Sequence, residues 1–144
     1  MEMMQKTSIK KVRMIMGTKV EKLLFELESK CNMEINAPAS LDVLYDLKQM
    51  YPVLPMAVLD MYAISDGVEI NIPGTTFYPL EKLISINKMD SPDEHVKIGA
   101  MNFGDEIVVG KDGRIYQIDH ETGEEFLDWE TLEDFLEDEL AALD

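Results

Sequence analysis

The chain is poor in the residues from which most catalytic and metal chemistry is built. Its 144 residues include one cysteine, Cys31, and two histidines, His95 and His120. A single thiol excludes an internal disulfide framework and suits a reducing compartment. One thiol and two imidazoles do not furnish a zinc site of the ordinary kind. Basic residues are scarce as well: 13 Lys and Arg stand against 29 Asp and Glu, a net charge of −16. Binding to nucleic acid depends on lysine and arginine displacing counterions from phosphates, so no direct nucleic-acid ligand is expected. Long apolar runs are missing. Stretches such as Met14-Ile15-Met16 fall far short of the roughly 20 residues a membrane helix needs. The N-terminus carries bases but no continuous apolar segment of the kind a secretory signal uses. The expectation is a soluble, cytoplasmic protein with no membrane partner. With no repeat and no low-complexity linker, residues 1–144 are expected to form a single domain, residues 1–17 being a helical or frayed extension.

Local motifs for chemistry fail on residue type. Gly99 and Gly104 have the spacing of a phosphate loop, but Asp105 and Glu106 stand where Lys and Ser or Thr are needed. The Lys111-Asp112-Gly113 turn has the glycine of a calcium loop without its ligands. Asp119-His120-Glu121 and Asp93-Glu94-His95 are adjacent in sequence, and neighbours along a strand point to opposite faces, so neither trio is expected to converge. Cys31, near a helix end, reads as a packed thiol. No catalytic residue, no cofactor and no metal ligand is assigned, and the chain is not expected to be an enzyme.

What the chain does have is acid, concentrated at one end. Asp105 to Asp144 hold fifteen acidic side chains and two basic ones, Lys111 and Arg114, while the first thirty residues carry four acids and seven bases. A purely acidic tract stays unfolded, because it cannot bury enough apolar surface to offset the entropy of ordering. Here Ile107, Val109, Ile115, Phe126, Trp129, Leu132, Phe135 and Leu140 are threaded through it. The acids are therefore expected on an ordered surface, and such a surface is a docking face for something basic. The N-terminal bases Lys6, Lys10, Lys11, Arg13 and Lys19 are expected to solvate a helix or pair with the acidic half. Of the eleven methionines, five lie in the first sixteen residues, where Met16 fits a core stripe.

Periodicity divides the chain into helices, strands and a closing helix. Ile9, Val12, Met16, Val20, Leu23 or Leu24, and Leu27 recur at helical spacing, with a stop at Asn32. Ser40 caps a second helix that carries Leu41, Leu44, Tyr45 and Leu47 inward. Leu54-Pro55 opens a third, with Val58, Leu59, Tyr62 and Ala63 as its apolar face, and Asp66-Gly67 closes it. Val68, Ile70 and Ile72 alternate with polar residues as a half-buried strand. Pro73-Gly74 turns into a second, Thr75 to Tyr78, and Leu80 to Ile86 fits either a helical turn or a strand. Val96 to Met101, Glu106 to Val109 and Arg114 to Ile118 form a meander with turns at Asn102-Phe103-Gly104 and Lys111-Asp112-Gly113. Thr131, with Asp134 three residues on, starts the last helix. The predicted class is α+β: a mainly antiparallel sheet of about five or six strands, with N-terminal helices and one C-terminal helix packed against it.

Two segments together resemble the SUKH superfamily, whose founding members include a fungal cell-wall assembly regulator. YPVLPMAVLDMYAISDG, residues 51–67, is similar to the family's helix that begins at a Leu-Pro pair and ends in an Asn/Asp-Gly turn. IGAMNFGDEI, residues 98–107, with DGRIYQIDH, residues 112–120, resembles its Ile-Gly…Gly-Asp strand pair followed by a strand ending in Asp-His. Thr131 to Leu136 is similar to its terminal helix, with Leu132 where Phe is common. The likeness spans roughly Thr18 to Leu140 and rests on the order of caps and turns. It implies a non-catalytic protein-binding domain. In bacteria it implies an immunity protein that neutralises a cognate toxin, often a nuclease, whose basic active site an acidic face would occlude. A regulatory or scaffold domain in a pathway such as cell-wall assembly is the alternative. The candidate contact residues are Asp105, Glu106, Asp112, Asp119, Glu121, Glu124 and Glu125, followed by the helix acids Glu130, Glu133, Glu137 and Asp138. The expected partner is a toxin domain with a basic active site, and the expected state is a monomer or weak dimer.

Overall fold

The computed structural model describes residues 18–71, 74–88 and 95–143. Ile9, Val12 and Met16 of the first stripe, the proposed extension over residues 1–17, Ile72 with Pro73, and the Asp93-Glu94 pair lie outside the described residues. Among the described residues the order is α1 (Lys19–Lys30), β1 (Met33–Ile35), α2 (Leu41–Met50), α3 (Met56–Ile64), β2 (Val68–Ile70) and β3 (Thr75–Phe77). Then follow α4 (Leu80–Asn87), β4 (His95–Met101), β5 (Glu106–Gly110), β6 (Ile115–Ile118), β7 (Glu125–Trp129) and α5 (Leu132–Ala141). The class is α+β, as the periodicity predicts. All seven strands form one antiparallel sheet in chain order, so the expected five or six is an undercount. β1 has only three residues, too few to display a period. β7 escapes notice because a register shift where it faces Gln117 and Ile118 breaks its alternation.

Helix ends follow from side chains that satisfy otherwise unpaired backbone amides. Thr18 Oγ1 accepts the Glu21 N–H at 3.1 Å, Ser40 Oγ that of Val43 at 3.3 Å, and Thr131 Oγ1 that of Asp134 at 3.1 Å. α1 buries Val20, Leu23, Leu24 and Leu27, and ends one residue before the expected Asn32, where the Cys31 N–H donates to the Leu27 carbonyl. α2 departs from expectation. Leu44 and Leu47 are buried, but Leu41 is 82% exposed and Tyr45 67%. The helix leans chiefly on α3, and one such contact covers a narrow line of side chains, not the full apolar stripe. α3 ends at Ile64 with Ser65 as its cap, before the expected Asp66-Gly67; Gly67 instead turns the chain into β2, and its φ of +90° and close approach to the Pro79 backbone both require glycine.

The stretch from Leu80 is a helix. Leu80, Leu83 and Asn87 are its buried positions, and Asp66 Oδ1 accepts the Leu80 N–H at 2.7 Å. Asn87 donates to the carbonyls of Leu83 and Lys97 and accepts the Lys97 N–H, all at 2.8 Å. Its amide thus stands in for a strand partner along the part of β4 that β3 does not reach. Strand residues Phe77, Ile98, Ile107 and Ile115 share one core with helical Leu24, Leu47, Val58 and Phe135. The Phe135 ring packs edge-on to Phe77 at 5.7 Å and to Trp129 at 4.8 Å. No described helix is long and apolar enough to cross a membrane.

Candidate functional site

Strand alternation gives the C-terminal meander two unlike faces. Val96, Ile98, Ile107, Val109 and Ile115 join the core. Lys97, Val108 and Tyr116 stand opposite one another in register and point the other way. Val108, only 2% exposed, lies at the floor of an open groove of about 450 Å³. Tyr116 and Ile118 complete the floor, His95, Lys111 and Asp112 line one end, and Gly123 and Glu125 the other. No described helix contributes to the lining. The size suits a small ligand or a few side chains of a protein partner.

The groove's polar groups are fixed by internal bonds. The Tyr116 hydroxyl donates to Asp112 Oδ2 at 2.6 Å, and the Arg114 N–H to Asp112 Oδ1 at 3.0 Å. The Tyr116 bond, then the Arg114 backbone, hold the Asp112 carboxyl below the usual carboxylate range, and the same Asp112 bond raises the Tyr116 phenol. Tyr116 reaches Asp112 by crossing Gly110, where an added Cβ would lie 2.5 Å from the ring. Arg114 Nε donates to Asp128 Oδ2 at 3.1 Å, and Lys97 Nζ lies 3.6 Å from Glu106 Oε2.

At the other end of the meander, two turns are tied together. Asp105, in the β4–β5 turn, is 5% exposed. Its Oδ2 accepts from Gln117 Nε2 at 2.7 Å, and its Oδ1 accepts the His120 N–H at 3.0 Å and lies 2.6 Å from His120 Nδ1. The His120 bond, then that from Gln117, lower the Asp105 pKa, and the Asp105 bond raises that of His120. Asp105, Asp119 and His120 each present a possible metal-ligating atom within 4.8 Å of the others. Asp119 and His120 come together because they lie in a turn and not, as expected, along a strand, but Glu121 is not one of this group, although His120 Nε2 is 4.0 Å from it. The carboxylates are nonetheless engaged: besides the Asp105 bonds, Asp119 Oδ1 accepts the N–H groups of Glu121 at 2.7 Å and Thr122 at 3.2 Å. As arranged, the cluster is a strut between turns.

The seven acids singled out in the sequence thus separate. Asp112 and Glu125 line the groove, and Glu106 shares its face. Asp119, Glu121 and Glu124 belong to the β6–β7 turn, where Glu121 and Glu124 are exposed. Asp105 faces inward and offers a partner no free oxygen. Among the helix acids, Glu137 pairs with Lys19, and Asp138 Oδ2 accepts from Trp129 Nε1 at 2.6 Å. Sequence reasoning missed Tyr116, His95 and Asp128, and also the exposure of Phe126 and Leu127, 63% and 49%. Two apolar residues in succession, flanked by acids, were the available signal for that exposure, because a strand cannot bury both on one face. Compared with family models and with curated proteins, the chain matches none.

Proposed function

We propose that this chain is a non-catalytic, SUKH-type protein-binding domain that neutralises a basic toxin, of nuclease type, through its acidic meander. One observation carries the reading. Glu121, Glu124, Glu125 and Asp128 are all exposed along one turn and strand, and Arg114, bonded to Asp128, is the one described base that forms an ion pair with any of these four apart from His120. Carboxylates held on a sheet present a fixed negative potential, which speeds encounter with a basic surface and falls off with salt. A nuclease concentrates positive charge where it holds phosphate, so the same potential would direct this face to its active site. The groove supplies an apolar floor against which a partner's side chains can pack.

The test begins with capture of the partner from the native host, using the full chain as bait. The reading expects a basic protein whose nuclease activity the purified chain inhibits. Reversing the charge of Asp112, Glu121, Glu124 and Glu125 together should slow association about tenfold or more at low salt and flatten its salt dependence. A captured partner without nuclease activity refutes the toxin assignment, and an unchanged association rate refutes the acidic surface.

A further inference from the structure

The two edges of the sheet are finished differently. β1 offers only three residues of edge, and beyond them Asn36 and Ala37 bond inward, to the Ser65 hydroxyl and the Asp66 N–H, in the segment that leads into β2. At β7 no described strand lies beyond. Glu125, Phe126, Leu127 and Asp128 are all exposed, and two are large apolar residues. An edge strand offers a row of unpaired N–H and C=O groups, a ready template for another chain.

We infer that the outer edge of β7 is a strand-addition site for an extended, basic segment of a partner protein. The inference rests on the proposed acidic docking surface and names how that surface is used. Backbone hydrogen bonding at a sheet edge accepts any extended segment, and the side chains choose among them. Register divides those of β7 into two rows. Glu125 and Asp128 stand opposite Ile118 and Tyr116 on the groove face, while Leu127 and Trp129 stand opposite Gln117 and Ile115 on the helix face. An incoming strand that alternates basic and apolar residues would set its bases beside Glu125 and Asp128 and its apolar groups beside Leu127 and Trp129. The register shift leaves Phe126 as the extra residue of the edge, free to cover one end of the added strand. A second copy of this chain is the wrong occupant. It would bring the same acids to the same line, and like charges across a strand pair are destabilising.

The test titrates the full chain with a capped ten-residue peptide of alternating lysine and valine and follows amide hydrogen exchange by NMR. Two control peptides are an alternating glutamate–valine sequence and the lysine–valine sequence N-methylated at every second residue, which keeps the charges but removes one edge's donors. Strand addition predicts slower exchange at β7 amides, binding weakened roughly tenfold by N-methylation, and no binding of the glutamate peptide. If the N-methylated peptide binds as well as its parent, or protection falls away from β7, strand addition is overturned and the acidic docking surface stands. If neither lysine peptide binds at low salt, both fall. Equal binding of the glutamate peptide, or concentration-dependent protection of β7 without peptide, overturns the basic occupant. The protein is unaltered in every arm, so misfolding cannot mimic any outcome.

Discussion

The two faces of the meander are made by the same strands and obey different rules. On the helix side, Ile107, Val109 and Ile115 are fully buried against a core that includes Phe135. On the groove side, their immediate neighbours Glu106, Val108 and Tyr116 support a layer of polar pairs: Tyr116 with Asp112, Arg114 with Asp128, Lys97 with Glu106. Close packing makes each core position costly to change. Exposed ion pairs contribute little to stability because water screens them and long side chains lose freedom to form them. The lesson is a division of labour: one face holds the fold together, and the other can vary in charge without endangering it.

Three measurements would break or sharpen that contrast. The largest effect is expected from Phe135→Ala, which empties the space between two aromatic rings. It should cost about 3–5 kcal/mol in denaturant unfolding, and a loss under 1 kcal/mol would mean the helix face is not the stabilising one. Next is Glu139, the acid that the helix side holds against the rule. It is buried, its Oε1 accepts from Thr75 at 3.4 Å, and its Oε2 finds no hydrogen-bond partner among the described residues. Burial pushes its pKa up to about 7. The folded state therefore holds this proton more tightly than the unfolded chain does. The stability it contributes is complete below the ordinary carboxylate pKa and is lost as pH rises to about 7 and beyond. Relative to Glu139→Gln, the natural chain should lose about 2–3 kcal/mol between pH 4.5 and 8, so parallel pH profiles would sink this account. The smallest effect belongs to the groove side. Arg114→Ala, which removes the ion pair to Asp128, should leave the denaturant midpoint nearly unchanged, a smaller shift than either of the other two.

The sequence revealed local structure more fully than it revealed contacts. Ser40, Thr131 and Gly67 act where their chemistry demands, because caps and turns are decided within four residues of chain. The strands from Val68 through Ile118 showed themselves by alternation. Leu41 and Tyr45 misled because a helical stripe gives the direction of burial and not the width of the surface that covers it. β7 was hidden by its register shift. In the candidate site, the acids were legible as a charge count but not as neighbours. Asp105 looked like surface because nothing local shows that Gln117 and His120, 12 and 15 residues on, close over it. Tyr116 reads as an ordinary strand residue until its reach across Gly110 is seen.

The sheet's order carries a consequence for folding. Since β4, β5 and β6 each pair with the next strand in the chain, the acidic meander is joined by short loops that close quickly. The contact between α1 and α5 joins segments more than one hundred residues apart and carries the largest closure entropy. Loop-closure entropy alone therefore favours early pairing in the acidic meander and late docking of the first helix on the last, an order that φ-values at Ile115 and Leu24 would check.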